Sequence, residues 1–144
     1  MGFLFKATTK LRVRYGETDQ MGYCYYGNYA QYFEVGRVEA LRSMGMSYKE
    51  LEQNGFMLPV SDFSVKYKAP AIYDDQLTIV TYIRSLKGVR LVFDYEIFKE
   101  GQVLVAEASS TLVFVSKDTM RPVSPPKDFV ELLDTNSKSQ KHVK

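Results

Sequence analysis

A single long amphipathic segment, beginning at about Asn28, is the feature that most limits the folds available to this chain. Its apolar residues recur at helical spacing, whereas charged and amide side chains fall largely on the other side. The segment therefore predicts an α-helix of about four turns. Gly36 and Ala40, one turn apart, leave little side chain between the helix backbone and its neighbour, so a close helix-on-sheet contact is expected. The apolar face consists of Tyr29, Tyr32, Phe33, Gly36, Ala40 and Met44.

Strand patterns occupy most of the remaining chain. The stretch "TKLRVRY" alternates apolar and basic residues before the helix, and "FSVKYK" alternates after it. Three further runs, "QLTIVTYIRSL", "RLVFDYEIF" and "VLVAEASSTLVFVS", are separated by "LKGVR" and "KEGQV", whose glycines are typical of hairpin turns. A short second helix is predicted between Ser47, an N-cap with Glu50 three residues later, and Gly55. The four strands that follow are expected to form an antiparallel meander.

These elements predict an α+β domain in which a five-stranded antiparallel sheet curls around one long central helix. Residues 1–134 are expected to form this single domain, and residues 135–144, "TNSKSQKHVK", a polar, disordered tail. The sheet has edge strands, and apolar residues on its outer face predict that subunits associate into dimers or tetramers. Those outer residues are Val80, Tyr82 and Leu104.

Charge and cysteine content argue against several classes of function. The 19 basic and 17 acidic residues give a net charge of +2, without a dense Lys/Arg stripe, so nucleic-acid binding is not expected. No stretch is long and apolar enough to span a bilayer, and "MGFLFKATTK" lacks the features of a signal peptide. Cys24 is the only cysteine and cannot form an internal disulfide. A cytoplasmic location is expected.

The histidine content limits the chemistry further. The only histidine, His142, lies in the polar C-terminal stretch, so neither a Ser-His-Asp nor a Cys-His arrangement has a base inside the domain. One cysteine and one remote histidine also cannot supply the three or four nitrogen and sulfur ligands of a zinc site. An enzyme with this composition would rely on carboxylates or tyrosines for acid-base chemistry.

The loop "ETDQMGYCYYGNY", residues 17–29, immediately precedes the long helix. Together with the helix, the stretch "YGETDQMGYCYYGNYAQYFEVGRVEALR" resembles the signature segment of the 4-hydroxybenzoyl-CoA thioesterase family. The stretch "FSVKYKAPAIYDDQLTI" is similar to the second strand of that family, its Pro, its Asp pair and the following strand, so the resemblance covers about residues 8–133. It implies a hotdog fold, oligomers of two or four subunits, and hydrolysis of a small acyl- or aroyl-CoA to the free acid and CoA.

The resemblance also implies roles for individual residues. Asp19 matches the catalytic carboxylate of the family, and Tyr26 matches the position at the helix head whose backbone N–H faces the thioester oxygen. Lys87, Arg90 and Arg121 match basic positions that bind CoA phosphates. Relatives associated with the Tol-Pal system carry His where this chain has Tyr26, so a His-assisted mechanism is not expected here. No metal or redox cofactor is implied.

Elementary chemistry agrees with these roles. A helix N-terminus has unpaired N–H groups and a partial positive charge, which can polarise a carbonyl group. A nearby carboxylate can attack the thioester to form an anhydride or can deprotonate the attacking water. The sequence leaves this choice open, together with the choice between aromatic and aliphatic acyl groups.

Each candidate residue also has a structural interpretation. Asp19 is a common turn former, and Glu17 is expected to be either a solvated neighbour or a substitute for an acidic position of the family, rather than a second catalyst. Cys24 is expected to fill space in the core, because no histidine or lysine is at hand to lower its pKa. Glu34 and Arg37, three apart on the helix, are expected to form a surface ion pair.

Two alternative functions share the predicted fold. A non-catalytic module that binds acyl-CoA or lipid would keep the pocket but could dispense with Asp19. A hotdog dehydratase or hydratase usually pairs an acid with histidine, so the lack of histidine inside the domain argues against it.

Overall fold

A computed structural model describes residues 2–142 as a sheet curled around one long helix, with a second helix and a C-terminal helix beside it. The strands are β1 (Phe5–Arg12), β2 (Phe56–Met57), β3 (Val60–Tyr67), β4 (Gln76–Lys87), β5 (Arg90–Lys99), β6 (Val103–Val113) and β7 (Val115–Ser116). The helices are α1 (Tyr29–Met44), α2 (Tyr48–Gln53) and α3 (Lys127–His142). None of the described helices is long and apolar enough to cross a membrane.

The main sheet has the order β1-β4-β5-β6-β3, and every pairing in it is antiparallel. The predicted α+β hotdog architecture, five antiparallel strands around one long helix, is therefore confirmed. The predicted four-stranded meander is wrong, because only β4, β5 and β6 follow one another in space. β3 instead pairs with β6, with Val65 opposite Ala108.

The chain joins β3 to β4 by crossing the end of the sheet rather than by a hairpin. Residues 68–75 pass over about three strand spacings, on the order of 14 Å. On the way the N–H groups of Lys68 and Ala69 donate to the carbonyl of Val105, and the Lys99 ammonium donates to the carbonyl of Pro70. A crossover of this length and a loose hairpin have the same local sequence features, which is why the sequence favoured the simpler topology.

Helix α1 packs on the concave face of the sheet through the predicted apolar residues, all of which are buried. The closest approach is at Gly36, where a Cβ atom would lie 2.4 Å from Thr81 Oγ1 and 2.9 Å from Ile79 Cγ2. The expected close contact between the helix and the sheet is thus confirmed. Helix α2 begins as predicted, with the Ser47 hydroxyl accepting a 3.1 Å hydrogen bond from the N–H of Glu50.

Strand β3 forms an open edge of the sheet. Its only neighbour in the described chain is β6, and most of its residues are exposed on both faces. Val60, Phe63 and Tyr67 keep 46%, 40% and 47% of their surface exposed. The outer face of the sheet, which points away from α1, is better covered than this edge, because Val80 is buried and the Phe3 ring lies 5.2 Å from that of Tyr82.

The C-terminal stretch from residue 135 is helical as far as His142, so the predicted disordered tail is wrong for residues 135–142, and residues 143–144 of that tail lie outside the described residues. Phe129, Leu133 and Ser137, spaced by four, form the buried face of α3. The Gln140 side-chain amide both accepts from the Lys6 N–H and donates to the Lys6 carbonyl, at 2.8 Å each. These contacts stabilise a segment whose polar composition, taken alone, is typical of disorder.

Candidate active site

Glu17 anchors the loop that precedes α1. Its Oε1 accepts 2.8 Å hydrogen bonds from the Arg14 N–H and the Tyr32 hydroxyl, and its Oε2 accepts one of 3.0 Å from the Arg14 guanidinium. Burial alone would raise the pKa of this carboxyl group, but the hydrogen bonds from Arg14 and Tyr32 together lower it. Only 9% of the surface of Glu17 is exposed, so the expectation of a solvated neighbour is wrong.

The backbone of Glu17 fixes the loop to the head of the helix. Its carbonyl oxygen accepts 2.8 Å hydrogen bonds from the Tyr25 N–H and from the Asn28 side-chain amide. The N–H of Cys24 donates over 2.7 Å to the carbonyl of Ala71 in the crossover. Residues 17–28 are therefore held on one side by the helix head and on the other by the segment that leads into β4.

Asp19 lies in a tight turn of this loop, and its side chain is exposed. Its Oδ1 accepts a 2.9 Å hydrogen bond from the Met21 N–H, its carbonyl accepts one from the Gly22 N–H, and its N–H donates to the carbonyl of Tyr23. Gly22 has a φ of +84°, which this turn requires. Within residues 2–142, Oδ2 of Asp19 accepts no hydrogen bond. The turn thus orients the carboxylate while leaving one oxygen free.

Tyr26 begins the three-residue 3-10 turn, Tyr26–Asn28, that leads directly into α1. Its N–H group donates to no acceptor in the described part of the chain. Such an unpaired N–H at a helix head also lies at the positive end of the helix dipole. The loop folds back on itself here, because the Asp19 N–H donates to the carbonyl of Tyr23 and the Tyr25 N–H donates to the carbonyl of Glu17. The carboxylate and the helix head therefore lie near one another.

Three aromatic rings form a wall beside the helix head. The Tyr67 hydroxyl donates a 3.3 Å hydrogen bond to the carbonyl of Tyr26, and the Tyr67 ring centroid lies 6.1 Å from that of Tyr26 and 5.3 Å from that of Tyr29. Tyr67 is the last residue of the edge strand β3. Sequence reasoning did not select it, because its proximity to the loop depends on the position of β3 at the sheet edge.

Cys24 is a buried core residue, as the sequence predicted. Its Sγ lies 3.3 Å from the Tyr32 hydroxyl oxygen, and burial raises the pKa of the thiol. A raised pKa disfavours the thiolate, which is the reactive form. The geometry therefore favours Asp19 over Cys24 as the reactive group of this loop.

The three basic residues predicted to bind phosphate lie together at the other end of the sheet. Lys87 and Arg90 face each other across the hairpin that joins β4 to β5. The adjoining Val89 carbonyl accepts from the Phe114 N–H, and the carbonyl of Arg121 accepts from the Ser116 N–H. All three basic side chains are exposed.

The end of the sheet that carries Lys87, Arg90 and Arg121 is distant from Asp19 within one chain. The loop with Asp19 follows Arg12, which pairs with Gln76 at the first position of β4. Lys87 is the last residue of β4, about 36 Å further along the strand. The structure therefore brings Asp19 and Tyr26 together, and Lys87, Arg90 and Arg121 together, as two separate groups.

The C-terminal end of α3 lies far along the sheet from the loop that contains Asp19. The Gln140 side chain of α3 hydrogen-bonds to the backbone of Lys6 near the start of β1, about 20 Å along the strand from Arg12. Among the described residues, no group of three His, Cys, Asp or Glu side chains is arranged to hold a metal ion.

The sequence and the fold were compared with known proteins. The family model described as the Thioesterase-like superfamily matches residues 13–133. The putative acyl-CoA thioesterase YneP of Bacillus subtilis is 33% identical over 132 residues, covering 92% of this chain and 96% of the relative. The acyl-CoA thioester hydrolase YbgC of Escherichia coli is 36% identical over 120 residues, covering 83% and 90%. A crystal structure of the DHNA-CoA thioesterase from Staphylococcus aureus superimposes with a TM-score of 0.86 at 34% identity, covering 94% and 91%.

Proposed function

This chain belongs to the Thioesterase-like superfamily and is a thioester hydrolase, and we propose that it hydrolyses a small acyl- or aroyl-CoA to the free acid and CoA. The observation that supports the proposal best is the pairing of Asp19 with the helix head. The turn orients Asp19 with one carboxylate oxygen free, and the nearby Tyr26 N–H has no acceptor within the described chain. These are the two groups that thioester hydrolysis needs.

In the proposed reaction the thioester carbonyl oxygen accepts a hydrogen bond from the N–H of Tyr26. The positive end of the helix dipole stabilises the negative charge that develops on this oxygen. Asp19 then either attacks the carbonyl carbon, giving an anhydride that water hydrolyses, or deprotonates the attacking water. Both routes release CoA as the thiol and need no metal or redox cofactor. Tyr26 acts through its backbone, so its side chain only shapes the pocket.

CoA binding is proposed to involve a second subunit. Lys87, Arg90 and Arg121 are suited to binding phosphate groups, but they lie at the opposite end of the sheet from Asp19 in the same chain. The proposal therefore does not take both groups of one site from the same subunit. The open edge at β3 supplies a different arrangement, in which the two groups come from two chains.

Two copies of β3 pairing antiparallel would continue the sheet across a dimer. The Tyr67 end of one β3 would then lie beside the Val60 end of the other. Within each chain, Tyr67 contacts Tyr26, whereas Val60 pairs with Leu112, next to the Val113 that pairs with Arg90. We therefore propose a homodimer in which Asp19 of one subunit acts on a thioester whose phosphates are bound by the other subunit. Association into tetramers and a cytoplasmic location, both expected from the sequence, remain predictions.

The proposal is tested with a panel of benzoyl-CoA, hydroxybenzoyl-CoA and short and long aliphatic acyl-CoAs, with released thiol as the measured product. Hydrolysis of at least one class is expected. Binding of the same panel without release of thiol would support the non-catalytic acyl-CoA module instead. Hydration of an enoyl-CoA, measured as the loss of its ultraviolet absorbance, would support the dehydratase alternative.

A further inference from the structure

A cleft of about 340 Å³, separate from the loop that contains Asp19, lies between α1, α2 and the segment that enters β3. Its walls are largely apolar, and four polar residues from the helices also face it: Glu34, Arg37, Tyr48 and Glu52. The apolar lining next to Arg37 and Tyr48 consists of Leu51, Phe56, Leu58 and Val60. The proposed hydrolysis at Asp19 assigns no role to this cleft.

Arg37 is buried in this cleft without a carboxylate partner. Only 8% of its surface is exposed, and no Asp or Glu oxygen of the described chain lies within 4.0 Å of its nitrogens. The surface ion pair predicted between Glu34 and Arg37 is therefore wrong. Arg37 Nη1 donates a 3.1 Å hydrogen bond to the Tyr95 hydroxyl. Arg37 Nε is buried and has no acceptor among the described residues, and Nη2 donates to none of them either.

Tyr48 contributes a second unused donor to the same cleft. Its hydroxyl group is buried and has no hydrogen-bond partner in the described chain. Burial raises the pKa of this phenol, and the opposing effect of the Arg37 charge, which would lower it, is smaller. The hydroxyl therefore stays protonated near the guanidinium and is able to donate a hydrogen bond.

These unused donors indicate what the cleft would bind. A buried cation without a counter-charge is costly, and a buried N–H or O–H without an acceptor costs more than an exposed one. The Nε–Nη2 edge of a guanidinium is a planar fork that matches the two oxygens of a carboxylate. Two acidic residues also face the cleft: Glu34, which is exposed, and Glu52, which forms an ion pair of 3.7 Å with Lys117. Neither occupies the Arg37 fork.

We propose that this cleft binds a carboxylate at the far end of the acyl group, with Arg37 forming a bidentate ion pair and Tyr48 donating a further hydrogen bond. The apolar walls would contact the hydrocarbon part of the same group. This inference rests on the proposed thioesterase function and narrows its substrate class to acyl-CoAs that end in a carboxylate.

The proposed dimer gives the acyl group a route to the cleft. Val60 lines the cleft and starts β3, whereas Tyr67 ends β3 beside the helix head. Antiparallel pairing of two β3 strands brings these ends together across the dimer. An acyl group whose thioester is bound at the Asp19 site of one subunit would therefore extend toward Arg37 of the other.

Matched substrates test the inference. Adipoyl-CoA and suberoyl-CoA are compared with hexanoyl-CoA and octanoyl-CoA, which have the same lengths but end in methyl groups. The wild-type protein should favour the carboxylated member of each pair in kcat/KM by about tenfold or more. Arg37→Met should slow only the carboxylated member, by about a hundredfold, because it leaves the carboxylate buried and unpaired. Tyr48→Phe should slow the same member by about tenfold.

The controls separate this role from a structural one. Arg42→Met should leave the preference intact, because Arg42 lies on the same helix in an exposed ion pair with Glu39 and does not line the cleft. Tyr48→Phe keeps the shape of the core, so it decides the matter if Arg37→Met does not fold. Equal slowing of both members of a pair, or a wild-type protein without preference for the carboxylated member, would overturn the inference.

Calorimetric binding distinguishes failure of this inference from failure of the proposed function. It uses adipoyl-CoA and hexanoyl-CoA with the Asp19→Asn variant, which is expected not to turn them over. Tighter binding of adipoyl-CoA that disappears when Arg37→Met is added supports the cleft even if the wild-type protein hydrolyses neither compound. Equal binding of the two compounds contradicts the cleft even if both are hydrolysed.

Discussion

The hydroxyl group of Tyr32 on α1 donates a 2.8 Å hydrogen bond to Glu17 Oε1 in the preceding loop. This bond joins the buried face of the central helix to the loop that presents Asp19. The same glutamate accepts from Arg14, two residues beyond the end of β1, so the segment that leaves β1, the loop and the helix meet at one carboxylate. Glu17 therefore fixes the loop, and the proposed reaction gives it no chemical step.

Glu17→Gln should lower the free energy of unfolding by about 1–3 kcal/mol, because the buried network loses its negative charge and one of its two acceptor oxygens. The contribution depends on pH with a definite sign. The folded state lowers the pKa of Glu17, so the stabilisation is complete above the unfolded pKa of about 4.3 and is lost as pH falls through the folded pKa. Urea unfolding of both proteins at neutral and acidic pH measures this. Glu39→Gln, at an exposed ion pair with Arg42, is the control and should cost under about 1 kcal/mol.

Gly36→Ala should destabilise the protein by about 1–3 kcal/mol or more. The added methyl group would lie 2.4 Å from Thr81 Oγ1 and 2.9 Å from Ile79 Cγ2, so the helix must move away from the sheet. In an exposed helix the same change would be stabilising, because alanine is the better helix former. Thermal unfolding measures the effect, with the exposed Gln31→Ala as a neutral control on the same helix. An unchanged or raised melting temperature for Gly36→Ala would contradict the packing described above.

The sequence predicted the features that local patterns determine. The apolar face of α1, the contact at Gly36, the Ser47 cap and the buried state of Cys24 each follow from spacing or residue type, and each is confirmed. The features that it missed depend on long-range contacts. Pairing of β3 with β6 requires a crossover that resembles a hairpin in sequence.

Three errors at polar residues have the same origin. Glu17 and Arg37 are charged residues whose burial depends on hydroxyl groups far away in sequence, those of Tyr32 and Tyr95 respectively. Residues 135–142 are polar, and their helix is stabilised by contacts with Lys6 at the other end of the chain. None of these partners can be identified from local periodicity.

Asp19→Asn should lower kcat by about a hundredfold or more with little change in stability. The asparagine keeps the side-chain oxygen that accepts from the Met21 N–H, so the turn survives while the nucleophile or base is removed. Steady-state thiol release and thermal unfolding are measured on the same preparation. A folded variant with turnover close to that of the wild-type protein would exclude Asp19 from either proposed role.

Dilution should abolish activity at the concentration at which the oligomer dissociates. The monomer has an open β3 edge, and the end of the sheet that carries Asp19 lacks the basic residues that are proposed to bind CoA. Sedimentation across a dilution series, with activity measured in parallel, provides the comparison. A monomer that keeps full specific activity would show that one chain contains the complete site.

Mixing two defective proteins tests whether one active site draws on two chains. Arg121→Ala should raise KM for a CoA thioester more than it lowers kcat, and the KM of the wild-type protein should rise with added salt, because phosphate contacts act mainly on binding. At low substrate concentration both Arg121→Ala and Asp19→Asn are then slow.

In a mixed dimer with a shared site, one of the two sites combines the intact Asp19 of one chain with the intact Arg121 of the other. Activity should therefore rise after the two variants are mixed and allowed to exchange subunits, toward about a quarter of the wild-type value for random pairing, since half of the dimers are mixed and half of their sites are intact. If each site lay within one chain, every site in the mixed dimer would keep one defect, and mixing would give only the average of the two variants.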